Sequence, residues 1–145
     1  SDYGYNTFIQ SVDALLMGRN TFETVLSFEQ WPYKKKVFVL SNTIDKVPVE
    51  LSSKAEIVRG NIPDIIEELN KKGFKNLYID GGKTIQSFLD LDLIDEMIIT
   101  HVSILLGSGT SLFGFIKNNL KFKVAETEKL NDSLVQIHYI RDRAI

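Results

Sequence analysis

The sequence has no cysteine in its 145 residues, which excludes disulfides, zinc-thiolate sites and thiol nucleophiles, and leaves redox work to a borrowed cofactor. A chain without thiols also suits a reducing cytoplasm, the expected location. Long apolar runs are missing too. None approaches the ~20 residues of a membrane span, and the start, Ser1-Asp2-Tyr3-Gly4-Tyr5, has no signal-peptide pattern, so no membrane partner is expected. Neither charge sign dominates: 17 basic against 19 acidic residues leave a net charge of -2, and no basic surface is expected to attract nucleic acid. The two histidines, His101 and His138, lack acidic neighbours at ligand spacing, so no metal site is expected. What is present, 43% apolar and 25% charged residues, describes an ordinary globular chain with one core. No repeat, low-complexity tract or linker divides it, which makes residues 1–145 a single domain by expectation.

Tyr5, Phe8, Ile9 and Val12 fall at helical spacing, with Asn6 available as a cap. Ala14-Leu15-Leu16-Met17 follows as a buried strand. Phe22, Val25 and Leu26 predict a second helix, a loop holds Trp31-Pro32-Tyr33 and three lysines, and Val37-Phe38-Val39-Leu40 reads as another buried strand. A polar connection over 42–54 leads to a short strand near Glu56-Ile57-Val58. The clearest helix spans Pro63 to Lys72, with proline and acids at its start and lysines then Gly73 at its end. Leu77-Tyr78-Ile79 predicts a third buried strand, a helix burying Ile85, Phe88 and Leu89 comes next, and Met97-Ile98-Ile99 predicts a fourth. Residues 121–127 and 134–140 alternate about Asn131-Asp132-Ser133 as an antiparallel hairpin. Buried strands separated by helices imply right-handed βαβ units. The expected class is therefore α/β, a three-layer αβα arrangement with a largely parallel sheet and a C-terminal antiparallel hairpin.

Ligands of an open parallel sheet bind beyond the carboxyl ends of its strands, which singles out Gly18-Arg19-Asn20-Thr21, Ser41-Asn42 and Asp80-Gly81-Gly82-Lys83-Thr84. In the first, glycine admits a ligand to the backbone, a helix start offers N–H groups, Arg19 adds charge and Thr21 a hydroxyl, which is chemistry for phosphate. The third repeats the design. Its Lys83 opposes the dipole of the helix it begins, a conflict of at most about 1 kcal/mol that an anionic ligand resolves. Ser41 and Asn42 are neutral hydrogen-bonders suited to a nucleoside. Together the three describe an extended diphosphate ligand lying across the strand ends. Neither G-x-G-x-x-G nor a P-loop occurs.

Leu16-Met17-Gly18-Arg19-Asn20-Thr21-Phe22-Glu23 resembles the M-G-R-x-T-[WF]-E segment of dihydrofolate reductases and their relatives. Val37-Phe38-Val39-Leu40-Ser41 resembles that family's next strand and serine, Asp80-Gly81-Gly82 with Phe88-Leu89 its glycine-pair unit, and Ile99-Thr100-His101-Val102 its threonine-bearing strand. Residues 93–96 through 105–113 are more similar to the reductase domain of riboflavin-biosynthesis enzymes, a branch of the same superfamily. The resemblance runs from about Tyr5 to the end. It implies a dihydrofolate reductase-like fold and NADPH as cofactor, with Gly18, Arg19 and Thr21 at the phosphates, Ser41 and Lys83 near the 2′-phosphate, Gly81 and Gly82 beside the cofactor, and Thr100 facing the substrate ring. The implied activity is hydride transfer to a small heterocyclic substrate, as in 5-amino-6-(5-phosphoribosylamino)uracil reductase. The alternatives are a dihydrofolate reductase and a non-catalytic nucleotide-binding or dimerising module. A homodimer through the sheet edge or hairpin follows by analogy. Two departures stand out: the family's opening central strand has no counterpart here, and the folate-binding carboxylate is replaced on its helix, leaving Asp2 upstream as the catalytic candidate and Asp13 expected to face elsewhere.

Bland readings accompany the remaining candidates. His101 is expected to be a structural strand-end residue and His138 a solvent-facing one. Lys34-Lys35-Lys36, placed close to the phosphate region, is expected to be a solvated loop. Phe28 and Trp31 either wall a pocket or anchor the loop, and Asp95-Glu96 is expected to be solvated.

Overall fold

The computed structural model describes residues 3–143, and these gather in two compact units divided after Thr84.

The first unit is built on a four-stranded, wholly parallel sheet in the order β3-β2-β1-β4, from β1 (Ala14–Gly18), β2 (Lys36–Leu40), β3 (Ala55–Val58) and β4 (Leu77–Asp80). Leu15, Leu16 and Met17 are fully shielded, as are Val37 and Val39, because a parallel strand in this position is covered on both faces. On one face Leu15, Met17, Val37 and Val39 meet Phe22 of α2 (Arg19–Leu26), with Trp31 and Tyr33 packed against them. On the other, Phe38 meets the ring of Phe74 edge-on at 5.0 Å, just past α3 (Ile62–Lys71), which buries Ile65 and Leu69. Asn61 caps α3 by accepting the Asp64 N–H at 2.9 Å. The first helix, α1 (Tyr5–Gln10), starts at Gly4 in the left-handed region (φ 86) with no side-chain cap, and none of its residues is buried. Asn6 is therefore inside the helix, not its cap. Helix α4 (Gly82–Asp90) begins at the end of β4.

The second unit holds an antiparallel sheet in the order β5-β7-β6, from β5 (Glu96–Val102), β6 (Phe122–Lys129) and β7 (Leu134–Arg141). The hairpin expected from the alternating pattern is β6-β7, with a bulge between Val124 and Glu126 and a turn in which Asn131 Oδ1 accepts the Ser133 N–H at 2.8 Å. Strand β5 differs from the sequence expectation. Met97-Ile98-Ile99 is not a buried parallel strand: it pairs antiparallel with β7 in the register Glu96↔Ile140, and Ile98 is exposed. Three apolar residues in a row fit either role, and the choice is made by a partner some forty positions later. Arg141 closes this sheet against the preceding turn through two bonds to the Asp92 carboxylate, at 2.6 and 3.0 Å. Residues 103–121 form no regular element.

Candidate functional site

The three strand-end junctions come together because β2, β1 and β4 are neighbours in register, Gly18 opposite Leu40 and Met17 opposite Asp80. Two of them interlock. A Cβ on Gly18 would stand 2.7 Å from Thr84 Oγ1, and one on Gly81 would collide with Thr21 Oγ1. Each glycine thus lets the threonine of the opposite junction lie on its backbone, and Thr84 is buried as a result. Gly81 carries a second constraint, a φ of +96 that side chains disfavour. Gly82 is different: nothing lies within 4 Å of where its Cβ would be, so the backbone at the start of α4 is open to a ligand.

The second junction reaches the first through Arg19, whose Nη1 donates to Thr43 Oγ1 at 3.4 Å. Ser41 is buried, and its hydroxyl oxygen accepts the N–H groups of Thr43 at 3.2 Å and Ile44 at 3.1 Å. Ser41 therefore shapes the turn, while Asn42 and Thr43 are its exposed polar groups. Helix α2 starts at Gly18 with no side-chain cap, so its first N–H groups have no side-chain acceptor. The uncapped start of α2, the open backbone at Gly82, a guanidinium, a lysine and threonine hydroxyls make a donor-rich, cationic set, and that is the chemistry a diphosphate requires. The residues fit NADPH in this respect.

Beside Thr21 lies a cavity of about 360 Å³ lined by Asn20, Thr21, Thr24, Val25, Phe28, Tyr33 and Asp80. Asp80 alternates onto the same sheet face as Tyr78, and the Tyr33 hydroxyl donates to its Oδ2 at 3.4 Å. Burial pushes the Asp80 carboxyl above the usual carboxylate range, opposed by the Gly81 N–H and the Tyr33 hydroxyl. Burial and the Asp80 charge likewise raise the Tyr33 phenol and push Tyr78 up to about 12. A partly desolvated acid with a phenol beside it, in a hollow with apolar walls, is a place to hold a polar ring edge. Sequence reasoning missed Tyr33, Thr43 and Thr24. Only the threonine spacing Thr21, Thr24, one helical turn, signalled any of them.

Phe28 lines this cavity, whereas Trp31 packs between Phe22 and Tyr33. Thr100 lies on β5 in the second unit, exposed, accepting from Gln136 Nε2 at 3.3 Å. Asp2 falls outside the described residues. Asp13 sits at the opposite end of β1 from Gly18, where its Oδ2 accepts the N–H groups of Lys75 at 2.9 Å and Asn76 at 2.8 Å. Lys34-Lys35-Lys36 is also at that opposite end, since β2 starts at Lys36, which corrects its expected closeness to the phosphate region. His101 is exposed on β5, and His138 is half-buried, facing Glu96 Oε2 at 3.3 Å. No metal-binding cluster and no helix long and apolar enough to cross a membrane occur among the described residues.

The chain matches the family of the RibD C-terminal domain over residues 5–136. It is 32% identical over 143 residues to the uncharacterized Bacillus subtilis (strain 168) protein YwjB, across 97% of this chain and 80% of that protein. Among solved structures, a Shewanella sp. PV-4 protein named for riboflavin biosynthesis superposes with a TM-score of 0.94 at 53% identity, covering 99% of this chain and 81% of that one. A Thermotoga maritima diaminohydroxyphosphoribosylaminopyrimidine deaminase/5-amino-6-(5-phosphoribosylamino)uracil reductase shares the fold at a TM-score of 0.71 and 18% identity, with 97% of this chain matching 48% of that one.

Proposed function

Given that the chain belongs to the RibD C-terminal domain family, whose fold is dihydrofolate reductase-like, we propose that it is an NADPH-dependent reductase of a small heterocyclic substrate, resembling 5-amino-6-(5-phosphoribosylamino)uracil reductase. The observation that carries the reading is the interlock of Gly18 with Thr84 and Gly81 with Thr21, which brings the starts of α2 and α4 together at the strand ends. Arg19, Lys83 and the first N–H groups of α2 and α4 hold the phosphates. When bound, the nicotinamide supplies hydride to a C=N or C=O carbon. The chain's own part is to orient and to exclude water. Thr21 and Asp80 sit where the phosphate cradle passes into the cavity, so the Asp80 carboxylate and the Tyr33 hydroxyl meet the polar edge of the substrate ring, while Val25 and Phe28 cover its face. The same reading includes a cytoplasmic location and a homodimer.

Arg19 and Lys83 together are assigned to the additional phosphate of NADPH. Loss of a charge-assisted hydrogen bond is worth about 1.5 to 3 kcal/mol, so Arg19→Ala is expected to weaken NADPH by about tenfold or more and NADH less, followed by quenching of Trp31. Equal weakening of the two removes the assignment. Turnover is read as loss of nicotinamide absorbance with an aminopyrimidinone substrate; tight NADPH binding with no turnover on any ring substrate would favour a non-catalytic module instead.

A further inference from the structure

The end of the sheet opposite the cradle carries a second feature, which shares Tyr33 alone with the lining of the substrate cavity. A groove of about 390 Å³ is lined by Tyr33, Lys34, Lys35, Lys36, Ser53 and Lys54. The topology builds it. Lys36 opens β2 and Lys54 immediately precedes β3, and the register Val37↔Ala55, with the Val37 N–H donating to the Lys54 carbonyl at 2.9 Å, sets the two strand starts side by side. Four lysines therefore line one hollow in a chain whose net charge is -2. Lys35 and Lys36 are half-buried, their stems laid against the protein, while Lys34 and Lys54 are exposed.

One of the four is paired with a nearby acid, Lys36 with Glu56 at 3.8 Å. Asp13 feels the charges of Lys35 and Lys75, but its Oδ2 already accepts the N–H groups of Lys75 and Asn76. Among the described residues no ion pair joins Lys34, Lys35 or Lys54 to a carboxylate. The Tyr33 hydroxyl is turned to Asp80, which leaves Ser53 as the neutral donor of the groove. Lysine ammonium groups bind phosphate as point charges, and the groove has no guanidinium fork for bidentate recognition of a carboxylate. The volume admits several linked phosphates. We infer that this groove is a second anion site, separate from the strand-end cradle, whose ligand is a compact polyphosphate, either free or as the tail of a nucleotide. The strands between the two ends are five residues long, which separates the sites by about 13 Å.

The test is calorimetric titration of the whole chain with inorganic tripolyphosphate and, separately, with ATP. Wild type is expected to bind tripolyphosphate with an affinity that falls as salt rises. Lys34→Gln/Lys35→Gln/Lys54→Gln is expected to lose at least tenfold, and Arg19→Ala to retain the binding. Equal affinity for both probes identifies the phosphates alone as the ligand; a stronger response to ATP adds the nucleoside. Amide shifts in the wild type supply a measurement independent of the variant's folding, and on saturation they are expected to move at Lys34–Lys36 and Ser53–Lys54. No binding by wild type, unchanged affinity in the triple variant, loss in Arg19→Ala, or shifts confined to residues 18–21 and 81–84 would each overturn the site. NADPH binding is scored on its own, so failure of the reductase reading and failure of this site are told apart.

Discussion

At Gly18 the backbone dihedrals, φ -84 and ψ 174, are open to any residue, so space alone forbids a side chain. Gly18→Ala is expected to cost about 1 to 3 kcal/mol through overpacking, read by urea melts. Adding Thr84→Ala, which removes the hydroxyl at 2.7 Å, is expected to recover most of that loss; a double variant no better than the single one would show that the contact is not the obstacle. Asp80 makes a different prediction. Its carboxyl is raised above the ordinary range by burial, so its contribution to stability is fully present below that range and is lost as pH rises through the raised value. Asp80→Asn is therefore expected to melt higher than wild type at neutral pH, with the difference closing near pH ~4. A constant gap across pH would contradict this. The glycines were legible because turn and phosphate chemistry both demand them after a strand. The Tyr33–Asp80 pair was not, since its partners lie 47 positions apart and only the fold joins them. Nor could the sequence show that the Ser41 hydroxyl is engaged with its own turn.

Among the elements, α3 and α1 stand at opposite extremes. Helix α3 has a side-chain cap, an acid in its first turn, a lysine in its last and a buried stripe, every signal by which a helix announces itself in sequence. Asn61→Ala is expected to lose about 1 kcal/mol in a denaturant melt. Helix α1 has six residues, no side-chain cap and no buried side chain, so it is expected to fray before the sheet and to show the least protected amides among the helices in hydrogen exchange. Strand β1 was readable because a run as apolar as Ala14–Met17 has nowhere to go but inside. Strand β5 was readable as a strand but not as a member of its sheet. Its anchor is ionic: Arg141 holds Asp92, whose carboxyl lies below the usual range mainly through that hydrogen bond. That contribution is present above the ordinary carboxylate range and is lost as pH falls through the lowered value. The second sheet is accordingly expected to loosen on acidification, and Asp92→Asn to remove that pH dependence.

For the molecule as a whole, every residue of the phosphate cradle, from Gly18 to Thr84, belongs to the first compact unit. NADPH is expected to slow amide exchange first at residues 18–21 and 81–84, by mass action on that unit; protection confined to β5 through β7 would contradict the cradle. One further consequence comes from the indole of Trp31. It is the sole tryptophan of the chain, its N–H is enclosed without an acceptor, and it stacks edge-on against Tyr33, a wall of the cavity. The protein thus contains its own optical gauge: native emission should be blue-shifted, and anything that turns the phenol ring should register as a change in colour or brightness without a label.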